Sequence, residues 1–344
     1  MSGLIVDNFA GGGGASTGIE AALNRPVDIA VNHDRDAIDM HRANHPGTLH
    51  LCEDVFRVSP REVCVGRTVD VAWFSPDCRH HSNAKAGKPV SRSVRGLAGV
   101  ALKWAAQVKP RVIFLENVRE FREWGPLLPD GTPNKAKSGT SYIRFCARLR
   151  NLGYCVEDRF LVAADFGAPT TRTRLYLIAR CDGEEIAWPD PTHADPRVHD
   201  IFGAGLLPWV GAEACIDRTI PALPAARCDA KIFSAVQRGW ERYGRAFVLS
   251  YYGNPGVRPI EAPLPTQTTR DRFALIDRAA DGTLLHRMLT SREVALAQGF
   301  PANYALTGGH ANEIKRIGNS VCPPVAEALV RANCAWAIQQ DVTA

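Results

Sequence analysis

The chain has 344 residues, 45 % of them hydrophobic and 22 % charged. That is enough apolar content for one large core or two unequal domains, and it excludes global disorder. Lysine and arginine number 41 against 36 acids, so the net charge of +5 permits a nucleic-acid partner without requiring one. No apolar run nears the ~20 residues of a membrane span, and Met1-Ser2-Gly3-Leu4 lacks a signal-peptide pattern. The ten cysteines include no Cys-x-x-Cys pair, which fits neither a disulfide scaffold nor a zinc ribbon. The expectation is a soluble, cytoplasmic protein with no membrane attachment.

In chain order, Leu4-Ile5-Val6 reads as a strand and Ala15 to Leu23 as a helix. Val27 to Val31 is a second strand, followed by a helix from Asp34 to Asn44. Val69 to Phe74 and Val112 to Leu115 are further strands, with a helix near Leu97 to Val108 between them. Tyr142 to Leu152 reads as helix and Arg174 to Ala179 as another buried strand, while Trp124 to Gly139 reads as a surface insertion. Strand–helix alternation with near-continuous apolar strands predicts an α/β fold, a doubly wound, mostly parallel sheet covered on both faces. Beyond Trp188, Pro189, Pro191, Pro196, Pro208, Pro221 and Pro224 break the periodicity and predict a smaller, loop-rich second domain. Pro323-Pro324 then opens a last helix, with Val325, Leu329, Ala332 and Trp336 at helical spacing.

Charge is unevenly placed. From Arg79 to Arg111 there are eight basic residues and no acid, whereas Ala187 to Leu285 holds eleven of each. A solvated face would account for the basic run, and so would a segment that grips phosphates beside a reactive centre.

Five short constellations carry chemistry. Asp7-Asn8-Phe9-Ala10-Gly11-Gly12-Gly13-Gly14 lies between a strand and a helix, where glycines let the backbone turn tightly and approach a ligand. A plain tight turn would use the same residues. Asp34 follows the second strand and Asp54 precedes Val55-Phe56, at places where strand ends hold a nucleoside or where an acid merely caps a helix. Ser75-Pro76-Asp77-Cys78-Arg79-His80-His81-Ser82 sets a cysteine at a strand end before basic residues, a setting that stabilises a thiolate. A structural cysteine is the alternative; with no further ligand cluster near Cys78, His80 and His81, no metal is expected. Leu115-Glu116-Asn117-Val118 ends a buried strand with a carboxylate, Arg172-Thr173-Arg174 leads into another, and Ile317-Gly318-Asn319-Ser320-Val321 precedes the last helix.

In this order the elements resemble the motifs of the DNA cytosine-5 methyltransferase family, over nearly the whole chain apart from Trp188 to about Leu285. Thr170 to Arg174 resembles its Gln-x-Arg-x-Arg, and Leu289-Thr290-Ser291-Arg292-Glu293 through Gln298-Gly299-Phe300-Pro301 resembles the segment before its final Gly-Asn-Ser-Val. The resemblance implies S-adenosyl-L-methionine as cofactor, held by Phe9, Ala10, Gly11, Gly13 and Gly14, with Asp34 and Asp54 toward the nucleoside and Asn319 and Ser320 closing the site. It implies Cys78 as the nucleophile that adds to cytosine C6, Glu116 at the N3 edge of a flipped-out base, and Arg174 orienting both, with Arg172 in the same catalytic set. Double-stranded DNA is the implied partner, bound by a monomer with a companion restriction endonuclease as a further partner. The implied division is a catalytic domain over 1–186, a target-recognition domain over 187–307 and a C-terminal return over 308–344.

The sequence departs from the family pattern in places. Asp77 stands where the family has proline before the cysteine, and Arg79 replaces a glutamine. Asn32-His33-Asp34 replaces the usual glutamate for the ribose, displacing the carboxylate, and Thr170 replaces the first glutamine of Gln-x-Arg-x-Arg. The alternatives are a catalytically weak DNA-binding module of this fold and an RNA cytosine-5 methyltransferase.

Overall fold

The computed structural model describes residues 2–76, 98–198, 205–252 and 254–338. Asp77, Cys78, Arg79, His80, His81 and most of the basic run lie outside the described residues. The chain forms two compact units, one made of Met1–Leu161, Thr173–Asp190 and Val325–Ala344, the other of Val162–Arg172 and Pro191–Pro324.

The first unit is built on a seven-stranded sheet. Its strands are β1 (Leu4–Asn8), β2 (Ile29–Asn32), β3 (Leu49–Cys52), β4 (Val69–Phe74), β5 (Val112–Asn117), β6 (Cys155–Val162) and β7 (Thr173–Arg180), in the order β3-β2-β1-β4-β5-β7-β6. β1 to β5 pair in parallel, and β7 runs antiparallel to β5. Alternate strand residues are buried on both faces: Leu4, Val6, Ala72, Phe74, Ile113 and Leu115 join Trp104, Phe145 and Leu149 of the helices Gly99–Gln107 and Thr140–Asn151. On the opposite parity Ile5, Trp73 and Phe114 are equally buried, with Trp73 stacked on Phe114 at 5.3 Å. This double burial explains the continuous apolar runs. The chain enters the sheet at β1, winds outward to β3, then returns to β4 on the other side of β1. The carboxyl ends of β1 and β4 therefore flank the topological switch point, where open α/β sheets hold their ligands.

β3 and β6 were not evident in the sequence. β3 is the short edge strand Leu-His-Leu-Cys, largely exposed, and β6 carries the charged run Glu157-Asp158-Arg159 at its middle. Neither has the apolar run of a central strand. The predicted spacing of Trp336 on the last helix also differs from the structure. The helix stops at Asn333, and Trp336 lies in a short turn with the Arg111 guanidinium 3.8 Å above its ring.

The second unit is more regular than its prolines suggest. β8 (His193–Ala194) and β9 (Leu207–Pro208) form a short parallel pair. β10 (Leu223–Pro224), β11 (Phe247–Tyr252), β12 (Asn254–Pro259), β13 (Phe273–Arg278) and β14 (Leu284–Met288) form an antiparallel sheet in the order β10-β14-β13-β11-β12. The helix Ala230–Tyr243, capped by Asp229, covers Phe247, Leu249, Ala274 and Ile276. At its closest approach Gly239 faces the Phe247 ring, where a Cβ would clash.

The division differs from the sequence expectation at two places. The return to the first unit begins at Val325, not 308, and Val162–Arg172 belongs to the second unit. Hydrogen bonds give the reason. The Arg172 guanidinium donates to the carbonyls of Gln267, Gly318 and Ser320, and Gln298 Nε2 donates to the Ile317 carbonyl. Among the described residues no helix is long and apolar enough to cross a membrane.

Candidate active site

The glycine loop continues directly from β1. Phe9 has φ 63°, a left-handed conformation that a bulky residue rarely adopts, and Gly11 and Gly13 follow at 54° and 96°. The loop is tied back by Ala10 N–H to the Val31 carbonyl at 3.1 Å and by Thr17 Oγ1 to the Gly13 carbonyl at 2.8 Å. The helix Gly14–Leu23 has no side-chain cap and no acid in its first turn, which leaves its positive N-terminal end suited to an anionic group. Asp7 and Asn8 are fully buried. Asp7 Oδ1 and both polar side-chain atoms of Asn8 lack hydrogen-bond partners among the described residues. Buried polar groups of this kind call for a partner, so the loop fits a small polar ligand of the S-adenosylmethionine class.

The two acids assigned to the nucleoside occupy the neighbouring strand ends. Asp34 follows β2, and its Oδ1 accepts from the backbone N–H groups of Asp36 and Ala37, capping the helix Arg35–Asn44. The last residue of β2, Asn32, accepts from the Asp34 N–H. Asp54 is exposed in the turn after β3, accepting from the Phe56 N–H at 3.0 Å, beside the exposed Phe56 ring.

The expected reactive residues Glu116 and Arg174 lie on β5 and β7, next to β4. Because β7 runs antiparallel to β5, its first residues lie at the carboxyl end of β5, and Glu116 pairs in register with Tyr176. Arg174, two residues earlier, points to the same face and places its Nε 3.3 Å from Glu116 Oε1. The Glu116 side chain is only 7 % exposed, with the opposite charge of that guanidinium beside it. Asn117 donates from Nδ2 to the Pro76 carbonyl at 3.0 Å, and Ser75 N–H reaches the Asn8 carbonyl at 3.3 Å. The root of the cysteine loop is thus fastened on one side to β1 and on the other to β5, two residues before Cys78.

Arg172 has a different setting from Arg174. It is 3 % exposed, and its guanidinium spends its donors on main-chain carbonyls of Gln267, Gly318 and Ser320, at 3.3, 3.0 and 3.0 Å. These bonds fasten the Gly318-Asn319-Ser320 turn. A Cβ on Gly318 would run into the Thr268 carbonyl, so the turn is pressed against the 267–269 loop. Asn319 ends the helix His310–Asn319, and Ser320 is its cap residue within the second unit.

A family model for C-5 cytosine-specific DNA methylase matches residues 4–334. The chain belongs to the C-5 cytosine-specific DNA methylase family. It is a DNA cytosine-5 methyltransferase with the family's α/β architecture. Among its relatives, the type II methyltransferase M1.HphI of Haemophilus parahaemolyticus is 27 % identical over 96 % of this chain and 87 % of its own length. M.NaeI of Lentzea aerocolonigenes is 28 % identical over 94 % and 73 %. The Spodoptera frugiperda DNMT2 structure shares the fold with TM-score 0.65 at 17 % identity, covering 96 % of this chain and 99 % of that one. No group of three or more metal-ligating side chains occurs among the described residues.

Sequence reasoning missed three histidines beneath the glycine loop. His41 and His45 are buried and His50 is half-buried, linked to Ser16, Thr17 and Glu20. Their signal was visible as His41 and His45 at i and i+4, but nothing in the pattern said that the helix turned them inward.

Proposed function

We propose that this methyltransferase acts on double-stranded DNA as a monomer, using S-adenosyl-L-methionine and a covalent Cys78 adduct. The observation that carries the reading is the Glu116–Arg174 pair at the end of β5, beside Asn117, which grips the root of the Cys78 loop. When bound, the cofactor supplies a methyl group from its sulfonium. Phe9, Ala10, Gly11, Gly13 and Gly14 would hold it by main-chain contacts, with Asp34 and Asp54 toward its nucleoside; the family resemblance adds Asn319 and Ser320. The bare helix N-terminus after Gly13 suits its carboxylate.

Cytosine C5 is a weak nucleophile. The Cys78 thiolate adds to C6, forming an S–C6 bond and moving an electron pair toward C5. A proton shared between the Glu116 carboxyl and N3 offsets the charge that develops on the ring, while Arg174 holds Glu116 and the base in place. After C5 is methylated, loss of its proton returns the pair to the ring and expels the thiolate. C6 is inaccessible in a duplex, so the base leaves the stack. The second unit, with exposed Arg270, sets sequence choice. The type II names of the relatives favour a companion restriction endonuclease and hence a cytoplasmic setting.

The test is incubation with labelled S-adenosylmethionine and separate DNA and RNA substrates. Label at cytosine C5 of DNA supports the reading, label in RNA moves the substrate, and none in either leaves a DNA-binding module. DNA containing 5-fluorocytosine should form a complex that survives denaturation and is absent with Cys78→Ser. A trapped complex that persists in that variant would place the nucleophile elsewhere.

A further inference from the structure

We propose that Ser16, His41 and His50 form a proton wire from Asp7, at the root of the glycine loop, to the sheet edge, and that cofactor binding releases a proton along it. This rests on the reading of the glycine loop as the cofactor seat. The geometry is a continuous chain of hydrogen bonds. Ser16 Oγ lies 2.8 Å from Asp7 Oδ2, His41 Nε2 lies 3.0 Å from Ser16 Oγ, and His41 Nδ1 lies 2.9 Å from His50 Nε2. Asp7, Ser16 and His41 are fully buried, whereas His50 is half-buried on β3, the edge strand.

Proton counting gives the chain two states. A serine hydroxyl has one proton, and a neutral imidazole has one donor and one acceptor nitrogen. With Asp7 ionised, Ser16 donates to Asp7, His41 Nε2–H donates to Ser16, and His50 Nε2–H donates to His41 Nδ1. With Asp7 protonated, every bond reverses. Asp7 donates to Ser16, Ser16 to His41 Nε2, and His41 Nδ1–H to His50 Nε2, leaving the His50 proton on Nδ1. Passing from the second state to the first moves one proton from each group to the next and delivers one to solvent from His50. Neither state requires a charged imidazole, in keeping with burial, which together with the neighbouring histidines holds His41 well below its usual range.

The surroundings poise Asp7 between the states. Burial pushes its pKa up to about 7, opposed by the Ser16 hydrogen bonds and His45 and assisted by Glu20. His45 Nδ1 faces Glu20 Oε2 at 2.8 Å, and its ring lies 4.4 Å from that of His41. At the outer end burial, Arg42 and His45 hold His50 low, opposed by a hydrogen bond that His50 donates to the Thr48 main chain. The bound cofactor carries a sulfonium and an ammonium against one carboxylate, a net positive charge that favours the ionised acid. The sign follows directly. Below about pH 7 the free protein holds the proton and must release it to bind, so affinity falls by up to tenfold per pH unit as pH drops. Well above pH 7 no proton is exchanged.

Calorimetry of the full chain with S-adenosylmethionine, in buffers of different ionisation enthalpy, counts the protons. Up to one should leave per binding event near pH 6.5 and none at pH 8.5. Asp7→Asn should abolish the release, and His50→Phe should keep the count while slowing release seen by a pH indicator in stopped flow. Nitrogen-15 spectra of the histidine rings in the unmodified protein should show His41 changing from the Nδ1–H to the Nε2–H tautomer as pH rises through about 7. Binding without proton exchange across this range, release that persists in Asp7→Asn, or a fixed His41 tautomer would overturn the proposal. Absence of any cofactor binding would instead sink the cofactor reading on which it rests.

Discussion

Replacing Arg172 with Met tests whether the clamp, and not direct chemistry, is what this arginine contributes. Its guanidinium is buried and satisfies three main-chain carbonyls, at Gly318, Ser320 and Gln267. Methionine fills similar volume and leaves those carbonyls without this donor. Each lost bond to a charged donor, with its acceptor left buried, costs about 1–3 kcal/mol. Non-additivity, and relief from burying the charge, bring three such losses to about 3–5 kcal/mol. At about 2–4 °C per kcal/mol for a unit of this size, thermal unfolding of the second unit should fall by roughly 6–20 °C. Tryptophan fluorescence would follow it, since Trp209 and Trp240 both lie there. Arg172→Lys keeps the charge but loses the fork, so it should recover no more than part of the loss. A loss below about 1 kcal/mol in Arg172→Met would refute the clamp argument and return Arg172 to the reacting groups.

Glu116→Gln keeps the shape and removes the charge held by Arg174, and should lower kcat by 10²-fold or more while cofactor affinity, read by calorimetry, stays within about twofold. Arg287→Met strands the buried Glu293 carboxylate, which Arg287 grips at 2.6 Å, and should cost about 3–5 kcal/mol in urea unfolding. Burial works against ionisation of Glu293, but Arg287 and the backbone N–H groups of Thr290 and Asp217 outweigh it and hold the acid below its usual range. Its stabilisation is therefore present above the unfolded value of 4.5 and lost as pH falls below it, a slope that Glu293→Gln should flatten. Gly239→Ala drives a methyl into the Phe247 ring and should cost about 1–3 kcal/mol, seen as a lower melting temperature. Arg270→Ala should change the methylated sequence, because Arg270 is exposed, whereas Arg272 donates to the Tyr251 carbonyl at 2.7 Å and its removal should chiefly destabilise the loop.

The catalytic unit was legible because its central strands are buried on both faces. Val69 to Phe74 and Val112 to Leu115 have no polar alternation to disguise them, and each motif follows directly from a strand. What escaped was whatever depends on pairing across sequence. Leu49 to Cys52 is a strand because Val31 and Asn32 offer their edges to Leu51 and Cys52, and nothing in Leu-His-Leu-Cys demands it. Phe247 and Ile276 form one sheet 29 positions apart, in register, yet the prolines between Trp188 and Pro224 made the whole region read as loops. Arg172 and Arg174 show the same boundary at the level of single side chains. Two places apart in an extended segment, they share a side-chain direction and looked equivalent in the motif. The chain passes from one unit to the other between Arg172 and Thr173, so one arginine meets backbone carbonyls and the other meets a carboxylate. A motif lists residue types in order, whereas the role of each arginine is set by the acceptors that the fold brings to it. For Arg174 that acceptor is Glu116, and it is there because β7 runs against the direction of β5.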